Sequence, residues 1–115
     1  MMKSRLITGL MVGAGFVLLA AAPAIAQDAA ETYKQYQAGI YAKERCSDTQ
    51  LSQDEFNKLG AALDKKVNYQ LGAGQRLSII EGMKDDTRKL INREGCGSDQ
   101  VTALLKLYDE LVAAQ

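Results

Sequence analysis

Downstream of residue 27, apolar side chains recur every three to four positions, the spacing that gathers them on one stripe of an α-helix. Short polar or glycine-rich breaks divide this pattern into four segments. The first covers about 28–45, with Tyr33, Tyr36, Ile40 and Tyr41 at helical spacing. It stops at Cys46-Ser47-Asp48-Thr49, where short polar side chains compete for backbone hydrogen bonds. The second covers about 53–70. Ser52 followed by Glu55 makes a capping box, and Leu51 with Phe56 fits a hydrophobic staple across the same helix start. Phe56, Leu59, Gly60, Leu63 and Val67 continue the stripe. Gly60 on that inner face costs about 1 kcal/mol of helix propensity, which a close helix–helix contact is expected to offset. Val67 to Leu71 alternates like a strand, but one short strand without a partner is not viable, so the segment is expected to be helical or turn-like.

Leu71-Gly72-Ala73-Gly74 makes the next break. The third helix is expected over about 75–94, with Leu77, Ile80, Met83, Thr87, Leu90 and Ile91 inward and Gly95 suited to a left-handed C-terminal cap. Ser98 can cap a fourth helix over about 99–113, with Asp99 favoured by the helix dipole. Val101, Leu104, Leu105, Tyr108, Leu111 and Val112 make its apolar face. Short connections favour antiparallel neighbours, so the pattern predicts an all-α domain over 27–115, a small up-down-up-down four-helix bundle.

Residues 1–26 carry a different pattern. Lys3 and Arg5 precede an apolar run from Leu6 to Ala22 interrupted only by Thr8, and Ala24-Ile25-Ala26 supplies small residues for a signal peptidase. The expected product is an exported chain that begins at Gln27 after cleavage behind Ala26. Removing Lys3 and Arg5 leaves 12 basic against 14 acidic residues, so the exported part is slightly anionic. Such a leader and junction look bacterial, and periplasm or full secretion is the expected destination.

Export changes the meaning of the two cysteines. Cys46 and Cys96 are the only thiols in the chain, and disulfides form and persist in oxidising compartments. In an up-down-up-down bundle the ends of the first and third helices share a pole, and these cysteines stand at those two ends. A bridge there is worth about 4 kcal/mol on a chain-entropy model. Their spacing lacks the CxxC form of a redox or metal pair.

The remaining composition mostly excludes. The chain has no His, which removes Ser–His and Cys–His nucleophile pairs and the commonest zinc ligand sets. No basic excess points to nucleic acid. Gly72-Ala73-Gly74 ahead of Arg76 suggests anion binding at a helix start only weakly, because Leu77 stands where a dinucleotide fingerprint needs glycine. The acidic pairs Asp54-Glu55, Asp85-Asp86 and Asp109-Glu110 point in diverging directions on a helix, and no calcium-loop motif occurs. On the third helix, Asp85 with Lys89 and Glu81 with Lys84 have ion-pair spacing on a solvated face. No catalytic residue, cofactor site or metal site is expected. Tyr33, Tyr36 and Tyr41 are the candidate partner-binding residues, since tyrosine joins an apolar body to a polar tip; ordinary packing explains them too.

In size, export and cysteine spacing the chain resembles the small acid-stress chaperones of the HdeA type. That resemblance implies an exported helical chaperone whose acid response rests on its carboxylates, which protonate mainly below about pH 5. The residues themselves point first to a non-enzymatic exported protein, an accessory, inhibitor-like or immunity-like factor whose partner is another exported or envelope protein. A small enzyme with a Ser or Lys nucleophile is the third expectation. Membrane contact is expected only transiently, through the signal peptide.

Overall fold

The computed structural model describes residues 28–115; the expected signal peptide and its expected cleavage between Ala26 and Gln27 lie outside the described residues. The described residues form four helices and no strand: α1 over 28–47, α2 over Gln53–Lys66, α3 over Ala73–Glu94 and α4 over Asp99–Ala113. Their start signals are those of the sequence. The Ser52 hydroxyl accepts from Glu55 N–H at 3.1 Å while the Glu55 carboxylate accepts from Ser52 N–H at 3.0 Å. Ser98 Oγ accepts from Val101 N–H at 3.2 Å. Each bond satisfies an amide that has no partner inside its helix.

The directions alternate. Tyr36 meets Glu110 and Gly39 meets Leu104 and Tyr108, so α1 and α4 are antiparallel. Lys34 pairs with Asp86 and Cys46 bonds to Cys96, so α1 and α3 run the same way. The disulfide joins two helix ends at one pole with Cα atoms 5.8 Å apart.

The arrangement is less symmetrical than a four-square bundle. Ala38 and Ile40 are both buried, as are Tyr36 and Ala42, although successive residues on a helix turn by about 100°. A helix covered on several sides is a core helix. Its main apolar cluster joins Tyr33, Tyr36 and Ile40 of α1 to Leu59 and Leu63 of α2 and Leu111 of α4. Among the three later helices, α2 and α4 are the pair in substantial contact. α3 meets this cluster at its edge through Ile79 and Ile80, and is tied to α1 by Lys34–Asp86 and by the disulfide at its end.

Several sequence expectations need correction. α2 ends at Lys66, not near residue 70, because Val67 caps it and Asn68 and Tyr69 take left-handed backbone angles with φ of 55° and 54°. α3 starts two residues earlier than expected: Gly72 is its N-cap, with Gln75 Oε1 accepting from Gly72 N–H at 2.9 Å. Gly95 does have a positive φ of 85°, but its ψ of 162° lies outside the left-handed helical well, in a region still more restricted to glycine. Leu77 is 58% exposed instead of inward, and Phe56 and Val112 also reach solvent.

The largest correction concerns glycine. Among the described residues a Cβ on Gly60 would meet nothing within 4 Å, so none of the four helices uses that position for close approach. Gly39 does so instead. A Cβ there would stand 2.6 Å from the Leu104 carbonyl oxygen and 3.2 Å from the Tyr108 amide nitrogen, both backbone atoms. Replacing Gly39 by Ala is therefore expected to destabilise the disulfide-intact protein by ~1–3 kcal/mol, with strain exceeding the helix-propensity gain. Gly60→Ala is expected to stabilise it by up to ~1 kcal/mol. Denaturant titration of both variants checks the pair, and equal shifts of the same sign would contradict the assigned contact.

Candidate interaction surface

Burial separates the three tyrosines of α1. Tyr33 is 4% exposed and Tyr36 is 8% exposed. Gln37 Nε2 donates to the Tyr33 hydroxyl at 3.1 Å, and the Tyr36 hydroxyl donates to Glu110 Oε1 at 3.0 Å. The Lys66 ammonium lies 5.3 Å from the centre of the Tyr36 ring. Burial raises both phenol pKa values, and for Tyr36 the bond to Glu110 adds to the rise. Both side chains sit in the core cluster, and Tyr36 also bonds α1 to α4, so little of either ring reaches the surface. Tyr41 differs, because its position on the flank of the stripe leaves it half-buried. The Arg45 guanidinium lies 5.8 Å from its ring centre.

Tyr41 stands between two depressions. On one side is an apolar cleft of about 210 Å³. Ile40 and Tyr41 come to it from α1, Phe56 from α2, and Ile80, Met83 and Lys84 from α3. It exists because α2 and α3 both lean on α1 without packing substantially on each other. On the other side is a polar hollow of about 550 Å³ lined by Tyr41, Glu44, Arg45, Asp48, Thr49 and Gln50. Asp48 takes a positive φ of 53° where the chain leaves α1. Glu44 reaches across this corner, its Oε2 accepting from Leu51 N–H at 2.9 Å.

Charge around the cleft is unevenly used. Asp85 engages both Lys89, at 3.0 Å, and Arg88. Lys89 and then Arg88 hold the Asp85 carboxyl below its ordinary pKa. Glu81 and Lys84, also at pairing distance in sequence, form no ion pair, and among the described residues Lys84 and Arg45 have no carboxylate partner within ion-pair range. Lys84 is exposed at the cleft edge.

The other sequence candidates have ordinary roles. Arg76 pairs with Asp64 at 2.8 Å, which ties the start of α3 to α2 and occupies the cation of the glycine-rich segment. Asp54 pairs with Lys58 one turn on. Among the described residues no group of His, Cys, Asp or Glu is arranged to hold a metal ion, and no helix is long and apolar enough to cross a membrane. Phe56, Ile80 and Met83 read as core positions from spacing alone; the sequence carries no signal that the space between α2 and α3 stays open. No protein-family model, curated protein or solved structure matches the chain.

The capping box gives this end of α2 a pH dependence. Hydrogen bonds from the Ser52 amide, and then its hydroxyl, lower the Glu55 pKa. A depressed carboxyl pKa stabilises the fold above the ordinary carboxylate range, and that contribution is lost as pH falls through the folded value. Glu55→Ala is accordingly expected to lower stability at pH 7 and to do so less at pH 3. Urea titrations of both proteins at the two pH values check this; an equal loss at both would contradict it.

Proposed function

We propose that the exported chain is a non-enzymatic protein-binding module, acting in the bacterial envelope as an accessory or inhibitor-like factor. The supporting observation is the cleft beside Tyr41. Tyr, Phe, Met and Arg are residues that interfaces favour, and Tyr and Arg are prominent among binding hot spots. Here Tyr41, Phe56 and Met83 line one cleft and Arg45 lies over the Tyr41 ring. The disulfide supports the exported setting, where such bridges persist. Periplasm is the proposed compartment.

A photo-crosslinking side chain placed at Lys84 in the native host tests this reading, with the same side chain at Tyr69 as control. Tyr69 is 73% exposed but lies outside the cleft. A discrete adduct with another exported protein is expected from position 84 and not from position 69. No adduct at 84, or the same smear from both positions, would overturn the proposal.

One observation favours a second reading, an acid-stress chaperone. The bonds that connect α1 to its surroundings through side chains end on carboxylates: Tyr36 on Glu110, Lys34 on Asp86, and Leu51 N–H on Glu44. Arg76 likewise links α3 to α2 through Asp64. Acid removes the charge of carboxylates as a class, whereas the disulfide is indifferent to it. On this reading an apolar dye is expected to bind the oxidised protein between about pH 4 and pH 2 and to leave it at neutral pH. No dye binding down to pH 2 would remove the chaperone reading.

A further inference from the structure

We propose that the Cys46–Cys96 bridge is a redox latch: its reduction frees the C-terminal end of α3, residues 88–94, while the rest of the domain stays folded. The device is separate from the binding role proposed above, and either can fail without the other.

Attachment along α3 is uneven. The helix buries only Met83 and Thr87 in 22 residues, whereas α2 buries Leu59 and Leu63 in 14. Its start is tied to α2 by Arg76 on Asp64, and Asp86 in its second half pairs with Lys34 of α1. Beyond Thr87 no residue of α3 is buried, and Leu90 and Ile91 alone are half-buried. The charges of this end pair within the helix, Arg88 and Lys89 with Asp85 and Arg93 with Glu94. Among the described residues, no ion pair or side-chain hydrogen bond joins residues 88–94 to another helix. The bridge just past them is their firm link to α1. The other helices do not depend on it. Gly39 seats α1 against the backbone of α4, α2 packs on α4, and Leu59, Leu63 and Leu111 complete the cluster around Tyr33 and Tyr36. Val101 near the start of α4 is fully buried, so α4 stays anchored when the end of α3 moves.

The bridge is also within reach of a reductant. Cys96 is exposed and Cys46 half-buried, so a thiolate has a path to the sulfur atoms in the folded protein. The co-reactant is a dithiol. One of its thiolates attacks the Cys96 sulfur, the S–S bond breaks, and Cys46 leaves as a thiolate that takes up a proton. The second thiolate of the reductant then attacks the mixed disulfide and expels Cys96, which is protonated in turn. The protein gains two electrons and two protons, and the reductant ends as a disulfide. Residues 88–94 then keep two half-buried side chains to hold them, too little to oppose the conformational entropy of fraying. Their opening presents Leu90 and Ile91 to solvent.

The test adds dithiothreitol to the oxidised protein at neutral pH, without denaturant, and follows backbone NMR shifts. Residues 88–94 are expected to lose their helical Cα shifts, while residues 36–42, 53–66 and 101–111 keep theirs. Reoxidation is expected to restore the first set. A protein carrying both Cys46→Ser and Cys96→Ser is expected to show the opened pattern with no reductant present. Helical shifts kept at 88–94 in the reduced protein or in the double variant make the bridge a passive staple and overturn the latch. Loss of native shifts throughout the reduced protein overturns it as well, because the whole fold then needs the bond. A bridge that dithiothreitol opens only in urea contradicts the access that the latch requires.

Discussion

The contact between Gly39 and the backbone of α4 sets the rest of the molecule. A side chain at position 39 would collide with the Leu104 carbonyl, so the two helices lie as close as glycine permits. That closeness lets α1 stay covered on several sides within a domain of modest size. Ala38 and Ala42 beside it are also small and buried, so this part of α1 packs without large side chains. The larger apolar groups, Tyr33, Tyr36 and Ile40, join the cluster completed by Leu59, Leu63 and Leu111. α1 is in effect the core, and the other helices are its coat.

That organisation explains why a cleft exists. α2 and α4 pack on α1 and on each other, whereas α3 is held at the cluster edge by Ile79 and Ile80, at its start by the Arg76–Asp64 pair to α2, and at its end by Cys46–Cys96. A helix attached along one side leaves a furrow on the other. Phe56 and Ile80 face that furrow and stay partly accessible, although both belong to apolar stripes in the sequence. The disulfide supplies at the pole what packing against α2 and α4 does not supply along α3. In a small domain such a covalent tie stands in for core area.

Much of the fold was legible in the sequence, and the reasons are local. Ser52 with Glu55, and Ser98 with the apolar run behind it, announced two helix starts through side chains that bond to nearby amides. Cys46 and Cys96 announced their pairing because the helical directions bring both to one pole. What remained hidden depends on contacts between distant segments. Gly39 and Gly60 sit in similar helical surroundings in the sequence, yet only the first touches another helix. Tyr33, Tyr36 and Tyr41 look alike as a cluster, yet rotation about α1 buries two and leaves the third at a cleft. Lys84 looks like one more charge on a solvated face until the open space between α2 and α3 makes it an edge. Leu77 shows the opposite failure: its spacing is that of a core residue, and its place near the start of α3 leaves it in solvent.

Native-state hydrogen exchange of the oxidised protein tests the central position of α1 most directly. Amides of residues 36–42 are expected to exchange only through global unfolding, and those in the middle of α3 through an earlier opening that leaves α1, α2 and α4 protected. If α3 proves as protected as α1, or if α1 opens before α4, the account of a core helix carrying a loosely held neighbour is wrong.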